Sequence, residues 1–117
     1  ILLSLYDMER PRQAIDQAIR ILRPGGRIVL TEPKERFNLS VVLGRAKEIL
    51  REKGLETSLR EHWQRVFEIN DELDPKKNTG RLFVEDIFQT LEHAGFSELA
   101  QIDSHLGNCA TVTGRKP

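Results

Sequence analysis

Cysteine is nearly missing from this chain: Cys109 is the only one in 117 residues. No disulfide can close within the sequence, and a reducing cytoplasm is the expected compartment. One Cys and three scattered His leave no metal-ligand spacing. Nowhere do eighteen apolar residues run together, which excludes a membrane-spanning helix, and no signal-peptide pattern opens the chain. An excess of one charge is missing too, since eighteen Lys and Arg balance eighteen Asp and Glu. Binders of nucleic acid or acidic membranes rely on a basic field, so neither partner is expected. There is no internal repeat and no low-complexity tract.

What is present is enough for one domain or part of one, with 38% hydrophobic residues. The opening "ILLSLYD" lacks a methionine and reads as the tail of a buried strand followed by a loop, so a preceding segment is expected to be missing. The stretch "RILRPGGRIVLTEP", from Arg20 to Pro33, then changes from helical to extended chemistry at Pro-Gly-Gly. Upstream, Ile15, Ala18, Ile19 and Leu22 fall on one helical stripe, with Pro11 suited to the first turn and Pro24 disfavouring helix at Arg23. A helix over Pro11 to Leu22 follows. Downstream, Ile28, Val29 and Leu30 are consecutive rather than alternating, the pattern of a strand covered on both faces in a parallel sheet. Gly25 and Gly26 permit a tight reversal between the two.

The next stretches are helical. Leu39, Val42, Leu43, Ala46, Ile49 and Leu50 predict a helix from about Ser40 to Lys53, with Ser40 as N-cap and Gly54 as C′ residue. Ser58 and Glu61 have capping-box spacing ahead of Leu59, Trp63, Val66, Phe67, Asn70 and Leu73, a run that ends at Asp74-Pro75. "DPKKNTG" is a polar turn and the best internal boundary. Val84, Ile87, Phe88, Leu91 and Ala94 mark a further helix closed by Gly95, with Phe96 placed for the contact that accompanies such a cap. Two β-rich runs, Glu98 to Asp103 and Cys109 to Gly114, lie too close in sequence for a crossover and so predict an antiparallel hairpin.

Helix, "LRPGG", strand "RIVLTEP", helical insert, "RLFVEDIFQTLEHAGF" and a closing hairpin ending "VTGRK" together resemble the carboxy-terminal half of a class I S-adenosylmethionine-dependent methyltransferase of the small-molecule type. The resemblance covers essentially the whole chain. It implies an α/β fold: half of a Rossmann-like sheet, with parallel strands, an antiparallel final hairpin and a helical cap insertion over residues 37–73. Two parts of the family pattern have no counterpart, namely the glycine-rich loop after the first strand and the acidic residue that binds the cofactor ribose. Val84 also stands where relatives offer a hydroxyl or acidic N-cap.

The resemblance implies one wall of a cofactor and substrate site. Ser4 and Leu5 would flank the methionine part of S-adenosylmethionine, and Tyr6 and Glu32 would face a small-molecule substrate. Trp63 serves either as core or as the roof of a substrate cavity. Tyr6 suits packing or pocket, and Glu32 a solvated strand end or the pocket. Pro24, Gly25 and Gly26 read as a backbone device, and His62, His93 and His105 as surface or capping residues. A reading of another class is a non-catalytic interaction module that keeps half of this fold and pairs with itself or a partner through the sheet edge beside Ile1 to Leu5.

Overall fold

The computed structural model describes Leu5 and residues 8–36, 38–72 and 81–117, with the backbone alone at 70–72. The expected strand residues 1–4, Ser4 and Tyr6, Phe37 and the polar turn at 74–80 lie outside the described residues. The chain divides into two units: Ile1–Asn38 with Arg81–Pro117, and Leu39–Gly80.

The first unit holds α1 (Pro11–Ile21) and β1 (Arg27–Pro33). It also holds α4 (Val84–His93), β2 (Ser97–Ser104), a short turn of helix at His105–Gly107 and β3 (Cys109–Arg115). Between these stretches the chain forms the second unit, with α2 (Leu39–Glu52) and α3 (Arg60–Glu72). The helices lie where their apolar stripes put them. Both predicted glycine caps are present as paired bonds: Gly54 N–H reaches Arg51 C=O and Leu55 N–H reaches Leu50 C=O, and Gly95 and Phe96 do the same to Glu92 and Leu91. The predicted capping box at Ser58 is absent. Its hydroxyl donates to Leu55 C=O, and α3 starts two residues later, because the chain leaving Gly54 turns once more before the helix begins. At α4 no side-chain oxygen caps the helix from Phe83, and Asp86 in the first turn instead accepts the Phe83 N–H at 3.1 Å.

The sheet corrects the main expectation. Among the described residues every strand pairing is antiparallel, in the order β1-β3-β2, so the chain does not form the parallel half of a Rossmann-like sheet. The last strand in sequence is the middle one in space. Four residues between β2 and β3 force a hairpin, and β3 then pairs along β1 from Arg27↔Arg115 to Pro33↔Cys109. The predicted covering of β1 on both faces is corrected with it. Ile28 and Leu30 are buried, while Val29 between them is 52% exposed. The reason is that both flanking helices lie on one face. Ile15 of α1 and Val84, Ile87 and Leu91 of α4 join Leu5, Ile28, Leu30, Ala110 and Val112 in a single core. Each of the Val, Leu and Ile side chains contributes about 1.5–3 kcal/mol by leaving water. On the other face a threonine pair, Thr31 and Thr111, shares a 2.7 Å hydrogen bond between the strands, with Ile102 beside it 65% exposed.

The Pro-Gly-Gly joint is held by the carboxy terminus. Gly25 N–H donates to Lys116 C=O, Lys116 N–H to Gly26 C=O, and the Arg115 Nε to Gly25 C=O. Lys116 Nζ then reaches the carbonyls of Ile19 and Leu22 at 2.7 and 2.8 Å, neutralising the carboxyl end of α1. Gly25 has a φ of +74°, and a Cβ on Gly26 would lie 2.8 Å from the Arg23 carbonyl oxygen. Turn geometry therefore demands both glycines.

Candidate functional site

The chemistry-bearing side chains of the sheet unit gather at the carboxyl end of β1. Ile28, Leu30 and Glu32 point to the same face by strand alternation, and Glu32 is fully buried there. Its Oε1 accepts the Leu5 N–H at 3.0 Å across 27 residues of sequence. Leu5 is itself 0% exposed, and its carbonyl takes the Met8 N–H at 3.1 Å. Glu32 is thus neither a solvated strand end nor open to water. It sits inside and holds backbone.

Beside it, where β3 begins, burial pushes the Cys109 thiol above its ordinary range and the nearby Glu32 carboxylate pushes it the same way. The thiol stays protonated at neutral pH and is a poor nucleophile. One residue earlier, Asn108 is 2% exposed and ties three segments together. Its Oδ1 accepts the Asn38 N–H, its Nδ2 donates to His105 C=O, and its own carbonyl takes the Lys34 N–H. It holds a strained hairpin end: His105, Leu106 and Gly107 have φ of 50°, 58° and 81°, the first two in a region that side chains disfavour. Lys34 reaches Asp103 at 2.9 Å across the same end of the sheet. In the sequence Gly107-Asn108 is a turn-forming pair and nothing more. No local signal marks Asn108 as a junction, because its partners lie 70 residues away at Asn38 and, one strand over, at Lys34.

Trp63 belongs to the helical unit. With Ala46, Ile49, Leu50, Leu59, His62 and Val66 it lines an open groove of about 320 Å³ between α2 and α3. Its ring meets Phe67 edge to face at 5.5 Å, and its Nε1 is buried with no hydrogen-bond partner among the described residues. The lining carries no Lys, Arg, Asp or Glu. Around it the helices are laced by surface pairs such as Arg51 with Glu56, whose carboxylate that hydrogen bond holds below its ordinary range.

Of the residues singled out in the sequence, the structure brings Leu5 and Glu32 together. Trp63 stands in the other unit, and Ser4 and Tyr6 lie outside the described residues. His93 bonds the Gln89 carbonyl of its own helix, and His105 the Ser104 hydroxyl. Among the described residues no group of three or more His, Cys, Asp or Glu side chains comes together to hold a metal ion, and no helix is long and apolar enough to cross a membrane. Comparison with protein-family models and with curated proteins finds no match.

Proposed function

We propose that this chain is the substrate-side portion of an S-adenosylmethionine-dependent methyltransferase acting on a small-molecule acceptor. The observation that carries the reading is the placement of the closing strand. β3 lies between β1 and β2, antiparallel to both, and its tail locks onto the Pro-Gly-Gly joint. That arrangement joins two of the motifs on which the resemblance rests, "LRPGG" and "VTGRK".

The described residues do not form a cradle for the cofactor. Leu5 is buried with both backbone polar groups engaged by the protein, and no glycine-rich strand-to-helix loop occurs in the 117 residues. No step is therefore routed through the cofactor here. Its sulfonium carries the driving force of methyl transfer, and the protein is left to orient the acceptor and exclude water. The groove beside Trp63 suits that task for a neutral, apolar acceptor, being of ligand size and free of charged lining.

A second reading, an interaction module, draws on Val29 and Ile102, which are 52% and 65% exposed on the sheet face that carries the Thr31–Thr111 pair. The sequence encoded immediately upstream of Ile1 separates the two. A strand followed by a glycine-rich loop and, after the next strand, an acidic residue supports the methyltransferase. A sequence without them supports the module.

A further inference from the structure

We infer that β2 is an edge for self-association: two copies of the chain pair through it, antiparallel about a two-fold axis at Ile102, so that their sheets join into one. The inference stands on the geometry of the strand and on neither reading of function above.

Three observations carry it. First, β2 stands at the end of the order β1-β3-β2, and among the described residues its backbone pairs with β3 alone. Residues 100–103 are all exposed. An edge of this kind leaves alternate N–H and C=O groups open to another strand. Second, the features that guard such edges are missing where they would matter. β2 contains no proline, lysine or arginine, and its bulge lies between Ser97 and Ala100, which leaves residues 100–104 in regular register. Its two carboxylates are neutralised within the same sheet, Glu98 by Arg27 and Arg115 and Asp103 by Lys34 at 2.9 Å, so two such edges approach without like-charge repulsion. Third, the regular stretch complements itself when reversed. With the axis at Ile102, that side chain, 65% exposed and on the face of Thr111, meets its own copy and leaves water. On the other face the Gln101 amide N–H donors come opposite the Asp103 carboxylate of the second copy, a charge-assisted match made twice by symmetry, and small Ala100 comes opposite Ser104. A foreign strand would have to supply this match from its own sequence, whereas a second copy already carries it.

One strand on each side makes a contact below the size of a standard interface, so the expected dissociation constant is on the order of 100 μM. Sedimentation equilibrium of the chain should give a mass that climbs from 13.5 kDa toward twice that value as concentration passes this range. Ile102→Lys, which keeps the bonds of β2 to β3, should hold the monomer mass throughout. Oxidation in a Cys109→Ala background tests the register: Ile102→Cys, on the axis, should form a disulfide-linked dimer, and Ser97→Cys, far from it, should not. A parent that stays monomeric up to about 1 mM overturns the inference. So does an I102K variant that associates like the parent, and so does crosslinking at Ser97→Cys that equals or exceeds that at Ile102→Cys. Should I102K fail to fold, the two cysteine variants decide alone, with a dimer confined to Ile102→Cys supporting the edge. None of these readouts involves methyl transfer or its cofactor.

Discussion

Cys109 shows how a single side chain reports on its surroundings. Burial, then the Glu32 carboxylate, raise its pKa in the folded state. The folded chain therefore holds the thiol proton at pH values where the unfolded chain has released it, and stability falls as pH rises. The contribution is complete below the unfolded thiol value, about 8.5, and is lost as pH climbs through the folded one. Cys109→Ala should remove this slope, so thermal melts from pH 7 to pH 10 should show a steeper decline for the parent than for C109A. Parallel declines would mean that the thiol is not shielded. The two glycines of the joint separate in the same way. Gly25→Ala should cost about 1–2 kcal/mol, since it forces a side chain into the left-handed region with open space around it. Gly26→Ala should cost about 1–3 kcal/mol for a different reason, the approach of its Cβ to the Arg23 carbonyl. Denaturant melts that leave either variant equal to the parent would contradict the account of the turn.

Among the elements, α1 depends on the far end of the chain. Lys116→Met keeps most of the stem but removes the donor to Ile19 and Leu22 carbonyls, and should lower stability by about 1–2 kcal/mol. Asp86→Ala should cost about 1 kcal/mol by orphaning the Phe83 N–H at the start of α4. Equal midpoints for parent and variant in urea would dismiss either contact. These cases also show what could be read from the sequence. Helix stripes and the Gly54 and Gly95 caps are local patterns, spanning no more than a few turns, and they were legible. The hairpin was legible from the shortness of its connection. The direction of β1 against its neighbour was not, because three consecutive apolar residues do not say whether one face or two are covered, and here Val29 is out while Ile28 and Leu30 are in. The candidate site was less legible still. Glu32 was marked as a site residue, yet its burial and its Leu5 partner depend on a contact 27 residues away. Asn108 reads only as half of a turn pair and Lys116 only as the end of "VTGRK"; neither signal names the distant carbonyls and amides they hold.

At the scale of the whole molecule, only the interaction-module reading gives a role to the sheet face on which Val29 and Ile102 are exposed. If the chain self-associates through that face, Ile102→Thr, which leaves the strand pairing intact, should return it to monomer mass in sedimentation, whereas a substitution within the core should not. The central claim is that these residues form the substrate side of a methyltransferase and leave the cofactor to be held by other residues. Calorimetric titration with S-adenosylmethionine, run on the 117-residue chain and on any longer natural polypeptide in which its coding sequence places it, tests that claim most directly. The chain alone should bind more weakly than about 1 mM, because Leu5 offers it no free amide, and the natural polypeptide should bind with a dissociation constant on the order of micromolar. A well-folded natural polypeptide that takes up no S-adenosylmethionine, or a 117-residue chain that binds it at micromolar concentration unaided, would contradict the claim.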